Sequence, residues 1–258
     1  MLKHKNIAVL FGSLLFSLLI VSFFCEVKIW YFISICISWL VLTIWGSFDI
    51  RLGYFVKTYC SGNQNQQKMI AITFDDGPTA ETILVLDILK QHNVKATFFC
   101  IGVQIKKYPD IFKRIQADGH LVGNHSYSHS NGMGFFSTKR VKEEIIKNDQ
   151  IIKQYSGRKT FFYRPPFGVT NPRIARAISA SGHIVIGWNN RSLDTLIADQ
   201  NKIFKRIKRK VKPGGIILLH DTSYKTAQVL EQLLLFLQSE NYLVTPLDEL
   251  LNLKAYED

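Results

Sequence analysis

Met69-Ile70-Ala71-Ile72-Thr73-Phe74-Asp75-Asp76-Gly77-Pro78 runs six apolar or β-branched residues straight into two carboxylates and a Gly-Pro stop. Such a run reads as a buried strand whose end is polar and sharply turned. Runs of the same kind occupy residues 95–101, 160–164, 183–188, 215–220 and 242–245. Between them, residues 80–92, 104–117, 138–155, 172–181, 198–210 and 225–240 carry helical spacing, with Asn171-Pro172 as a helix start and Gly182 as a stop. This alternation over residues 68–250 predicts a mostly parallel sheet covered by helices, closed or nearly closed into a barrel.

The chain before this domain is different. Residues 7–24 and 29–48 contain no charged residue, and each is about as long as the roughly 20 residues that a membrane-spanning helix needs. A cleaved signal peptide would end in small residues, whereas the first run ends Ser22-Phe23-Phe24-Cys25. Trp30 and Trp45 stand near the ends of the second run, as interfacial anchoring favours. The organisation expected is a two-helix membrane anchor over 1–48, a tether over 49–67, a catalytic domain over 68–250 and a tail over 251–258. Four cysteines in 258 residues, none in a CxxC pair, exclude a disulfide scaffold, and 47% hydrophobic residues exclude a disordered chain.

In a parallel α/β barrel the chemistry collects at the carboxyl ends of the strands. Asp75 and Asp76 follow the first strand of the domain, and adjacent carboxylates there call for a positive partner. Next comes Asn124-His125-Ser126-Tyr127-Ser128-His129, whose two histidines are four apart and would meet on one face of a helical turn. Asp, His and His make a first shell with room left for water and substrate. Arg164, before Pro165, Pro166 and Phe167, is placed to keep a carboxylate ionised. His220 ends a later strand, where it can protonate a leaving group across the pocket.

The motifs TFDDGP, HSYSH, RPPFG, the Asp194 region and LLHD, in that order, resemble those of the NodB-homology polysaccharide deacetylases, carbohydrate esterase family 4. The resemblance spans roughly residues 68–250. It implies a distorted (β/α) barrel, one divalent metal ion that is usually Zn2+, and hydrolysis of an N-acetyl group from an amino sugar. Carried over, Asp75 is the general base, Asp76, His125 and His129 are metal ligands, and His220 is the general acid. Arg164 orients Asp75, Asp194 supports His220 or Arg164, Leu218 with Trp188 shapes the acetyl pocket, and Pro165, Pro166 and Phe167 line the substrate pocket beside them. In the fourth motif the family commonly has Asp-x-x-Asp followed by an aromatic residue. Here Arg191 replaces the first Asp and Thr195 the aromatic, which leaves open what supports His220 and how the sugar stacks; Trp188 is one candidate for the stacking role.

The expected partners are an N-acetylated glycan or lipid-linked amino sugar and membrane lipid. A catalytically silent glycan binder of the same fold is the alternative, which loss of Asp75 or His220 would have signalled. The net charge of +12 and the basic run from Lys202 to Lys212 raise nucleic acid as a partner, but Ile203, Phe204, Ile207 and Val211 give that run an apolar face, so a solvated helix is expected and no nucleic acid. The expected location is an integral membrane position in a bacterial-type cell envelope. Lys3, Lys5, Arg51 and Lys57 lean the domain towards the cytoplasm; the resemblance leans it outside, and the second is given more weight.

Overall fold

The computed structural model describes residues 3–63 and 68–257. Two long helices, α1 (His4–Ser22) and α2 (Ile29–Phe48), open the chain. Both are long and apolar enough to cross a membrane, and the apolar windows are only 11% and 6% buried. The remaining chain alternates strand and helix: β1 (Thr58–Tyr59), β2 (Met69–Asp75), α3 (Thr82–Gln91), β3 (Thr97–Cys100), α4 (Gly102–Lys107), α5 (Pro109–Ala117), β4 (Leu121–Asn124), α6 (Thr138–Ser156) and β5 (Phe162–Tyr163). Then follow α7 (Pro172–Ser181), β6 (Ile184–Ile186), β7 (Asn190–Arg191), α8 (Gln200–Lys208), β8 (Gly215–His220), α9 (Tyr224–Ser239), β9 (Leu243–Val244) and α10 (Leu247–Leu251).

The sheet runs β1-β6-β5-β4-β3-β2-β8-β7, with β9 beside the start of β2. Its strand pairs are parallel, and β1 and β7 end the path, so it forms an open, distorted barrel. β2 holds the centre: its first residues pair with β9, its last with β3, and its whole length from Ile70 to Asp75 with β8. Every side chain of β8 is buried, as expected of a strand covered on both faces. Ile72, Phe74, Leu86, Phe98, Ile217, Leu219 and Leu233 pack one layer of the core between sheet and helices.

Several features depart from the sequence expectation. The run 104–117 is two helices, because Pro109 lacks an N–H and disfavours helical geometry at Tyr108, whose φ is −128° and ψ 59°. β7 has two polar residues and no periodicity to show it. The segment expected to be a tether is fixed over its first half: Ile50 and Tyr54 are buried, and β1 pairs with β6; its last residues, 64–67, lie outside the described residues. The tail is also held, since the Ala255 carbonyl accepts the Phe161 N–H at 2.7 Å and the Tyr256 hydroxyl accepts the Val122 N–H at 2.7 Å. Buried apolar surface on Ile50, Tyr54 and Ala255 explains both docked ends.

The helical pair is joined to the domain. The Ser47 carbonyl of α2 accepts the Thr170 N–H at 3.0 Å, and Gly46 lies so close under the Tyr54 ring that a Cβ there would collide.

Candidate active site

Strand ends bring the chemistry together. Asp75 and His220 close β2 and β8 as register partners, His125 follows β4, Arg164 follows β5, Trp188 follows β6 and Asp194 follows β7.

Arg164 is wholly buried, and its guanidinium satisfies four acceptors. Nε donates to the Ile186 carbonyl at 3.2 Å, Nη2 to the Gly187 carbonyl at 2.9 Å, and Nη1 to Thr73 Oγ1 at 2.9 Å and Asp75 Oδ1 at 2.7 Å. A buried cation with an acceptor on each of its three nitrogens holds the Asp75 carboxylate in one orientation. Phe99 lies under the guanidinium, 4.0 Å from its centre.

The two histidines do not meet on a helix, contrary to the expectation from their spacing. Residues 125–130 form a loop in which Ser126 and His129 take positive φ (67° and 50°), and this turn sets the two rings 4.8 Å apart. Asn124 builds the loop: its Oδ1 accepts the Ser126 N–H at 2.8 Å and Asn148 Nδ2 at 2.9 Å, while its Nδ2 donates to Asp149 at 2.7 Å. Sequence reasoning passed over Asn124, Asn148 and Asp149, whose signal is only that they are polar at positions that should be apolar.

His125 Nδ1 sits 2.7 Å from the Arg164 carbonyl, which fixes the ring and leaves Nε2 facing Asp76 Oδ1 at 3.4 Å. His129 Nε2 is 3.3 Å from the same oxygen. Asp76 takes φ 74°, a strained value for a non-glycine residue, and this turns its side chain into the pocket. Its Oδ1 is buried with no hydrogen-bond partner among the described residues. Burial opposes ionisation of Asp76, but the three surrounding histidines hold it well below the usual carboxylate range. Burial and the neighbouring His125 lower His129 to about 4, so its ring is neutral at pH 7, as a ligating imidazole must be. One atom from each of Asp76, His125 and His129 lies within 4.8 Å of the others. An orphaned carboxylate oxygen facing two ring nitrogens fits a divalent cation.

On the other side of the pocket, the His220 N–H donates to Asp194 Oδ2 at 2.8 Å and the ring Nδ1 lies 2.7 Å from Asp194 Oδ1. Burial alone would lower the His220 pKa, yet the Asp194 hydrogen bond and the negative charge around it raise it to about 9. Ser192 and Thr226 hydroxyls complete the Asp194 contacts at 2.8 and 3.0 Å. His220 Nε2 is 4.0 Å from Asp76 Oδ2, so this imidazole faces the cluster of Asp76, His125 and His129.

The family model for polysaccharide deacetylase matches residues 62–186. A crystal structure of the Bc1960 peptidoglycan N-acetylglucosamine deacetylase superposes with a TM-score of 0.73 at 30% identity, covering 78% of this chain and 95% of that one. The chain belongs to the polysaccharide deacetylase family. A peptidoglycan-N-acetylglucosamine deacetylase of Bacillus cereus is 37% identical over 163 residues, which is 63% of this chain but 58% of that protein's length. A CE4 family pseudoenzyme from Bacillus anthracis shares the fold at a TM-score of 0.69 and 29% identity, over 75% of this chain and 68% of its own.

Within the family, the altered fourth motif acquires a structural meaning. Asp194 supports His220, and Arg164 supports Asp75 without it. Trp188 does not offer a free stacking face: it is 8% exposed, with the Arg164 and Arg191 guanidinium groups 5.6 and 5.5 Å from its ring. Of the residues expected to line the pocket, Phe167 is exposed, 47% accessible and 4.7 Å from the His129 ring, whereas Pro165, Pro166 and Leu218 are buried. Asp221 directly follows His220 at the end of β8. It is fully buried, burial raises it to about 7, and its Oδ2 accepts the Thr82 hydroxyl at 2.5 Å, pinning the turn after Asp76.

Proposed function

We infer that this chain is a metal-dependent hydrolase that removes the N-acetyl group from an N-acetylated amino sugar while held at a bacterial-type membrane. The observation that carries this reading is the pairing of opposite supports: Arg164 on Asp75 at 2.7 Å and Asp194 on His220 at 2.7 Å. One carboxylate is oriented by a buried guanidinium and one imidazole is held protonated in a single pocket, an arrangement suited to amide hydrolysis.

Asp76, His125 and His129 would hold the ion. A divalent cation there, with Zn2+ the expected metal, supplies Lewis acidity towards water and the amide carbonyl. Asp75 Oδ1 is occupied by Arg164, so Oδ2 is the oxygen that takes a proton from water as the water oxygen bonds to the acetyl carbon. His220, held by Asp194 through Nδ1, delivers its Nε2 proton to the sugar nitrogen as the C–N bond breaks, releasing acetate and a free amine. A silent binder would lack one of these groups, and all are present.

α1 and α2 are read as a retained two-helix anchor: their apolar side chains are exposed, and the last turn of α2 is hydrogen-bonded to the domain through Ser47. The glycan faces the active site from the envelope side, in keeping with the family. Mass spectrometry of acetate released from a panel of N-acetylated glycans and lipid-linked sugars tests the reading. Release from at least one sugar class by the metal-loaded protein supports it, and silence across the panel overturns it.

A further inference from the structure

Beside the active site, a cavity of about 710 Å³ is lined by Ser47, Phe48, Pro166, Phe167, Ile174 and Arg191. It begins at Phe167, whose ring packs on His129, and reaches the last turn of the apolar helix α2. A second cavity of about 350 Å³ shares Phe48 and Arg191 with it and is lined by Trp45, Arg51, Arg206 and Lys210. Four cations therefore surround this small cavity, against one carboxylate, Asp49, which Arg51 already grips through Nε at 2.7 Å and Nη2 at 2.6 Å.

The cations are held together. Arg206 Nε donates to the Arg191 carbonyl at 3.0 Å, and Arg191 Nε is buried with no hydrogen-bond partner among the described residues. Burial and the charges of Arg206, Arg51 and Arg209 depress the Lys210 pKa, as expected where like charges are gathered. Three guanidinium forks and an ammonium suit a phosphate oxyanion better than a single carboxylate. Trp45 and Phe48, 50% and 69% exposed, place the cluster where an apolar helix would leave the bilayer.

We propose that these two cavities form one site for an N-acetylated amino sugar carried on a lipid phosphate. Its phosphate sits on Arg191, Arg206, Lys210 and Arg51, its apolar chain lies along Phe48 towards α2, and its sugar lies towards His129. Arg191, which stands where the family commonly has an acid, is then a specificity residue. The assignment rests on the deacetylase reading and narrows its substrate.

The test uses the full chain in nanodiscs with three substrates of one N-acetylated sugar: the lipid diphosphate, the alkyl glycoside without phosphate, and the soluble 1-phosphate. The lipid diphosphate should exceed both others in kcat/KM by at least about tenfold, given the strength of charge-assisted pairing. That preference should collapse in Arg191→Ala/Arg206→Ala/Lys210→Ala and fall in Lys210→Gln, which leaves the Arg206 contact to the backbone intact. Equal turnover of the lipid diphosphate and alkyl glycoside, or a preference that survives both variants, overturns the proposal while leaving the deacetylase reading in place. Equal turnover of the soluble 1-phosphate overturns the lipid assignment. Binding of a prenyl phosphate to Asp75→Asn, read by tryptophan fluorescence, keeps the test independent of hydrolysis: saturable binding weakened by Lys210→Gln supports the site, and no binding removes it.

Discussion

Asp194 holds His220 at two points, accepting its backbone N–H at 2.8 Å through Oδ2 and facing its ring Nδ1 at 2.7 Å through Oδ1. The contact fixes both the position of the ring and the nitrogen that remains for chemistry. Its electrostatic effect sets the pH range in which the imidazole stays protonated.

His220 stays protonated to about pH 9 because the carboxylate stabilises the imidazolium more than burial opposes it. Removing that charge lowers the pKa, so the alkaline limb of the rate profile in Asp194→Asn should move to lower pH by about one unit or more. An unmoved limb would assign it to a different group. His220→Gln should lose roughly 100- to 10,000-fold in kcat.

Metal content should follow the loop after β4. His125→Ala/His129→Ala leaves Asp76 Oδ1 with neither facing nitrogen, and stoichiometric zinc found in the wild type should fall to trace levels by elemental analysis. Equal zinc in both proteins would place the ion elsewhere.

Arg164 is a stability residue as well as an orienting one. Arg164→Ala leaves the buried Asp75 carboxylate unpaired, and loss of one partner of a buried pair costs about 3–5 kcal/mol. Thermal unfolding in detergent should show a fall in Tm of many degrees; a shift within a degree or two would mean water replaces the guanidinium at little cost.

The anchor makes a prediction about cell fractions. The chain should stay in membranes through high salt and alkaline carbonate and leave them only with detergent. Cys25 lies exposed in the turn between α1 and α2, on the opposite side of a two-span hairpin from Arg51. With an external domain, an impermeant maleimide should spare Cys25 in intact cells and label it after lysis. Labelling of Cys25 in intact cells would put the domain inside.

Much of this was legible in the chain because strands covered on both faces are continuous apolar runs: Met69–Asp75 and Gly215–His220 could be read directly, whereas the register that sets Asp75 beside His220 depends on strand pairing that no local pattern shows. Helices such as Pro172–Ser181 carried their own caps in Asn171 and Gly182. What stayed hidden depends on tertiary contact. A two-residue strand such as Asn190–Arg191 has no period, and the docking of Ile50, Tyr54 and Ala255 is decided by surfaces far away in sequence. The His125–His129 spacing suggested that the two rings meet, but left-handed residues at Ser126 and His129, not a helical turn, bring them together. Arg191 could be seen as a departure, but its cluster with Arg51, Arg206 and Lys210 exists only in the fold.

In the proposed mechanism Asp75 takes the proton in an amide hydrolysis for which His220 supplies one. The direct measurement is acetate released from an N-acetylated substrate by wild type and Asp75→Asn at matched zinc content. A carboxamide in the Arg164 contact should bind metal normally and release acetate at about 100-fold less or lower. Release by Asp75→Asn at the wild-type rate, with zinc equally bound, would contradict the account.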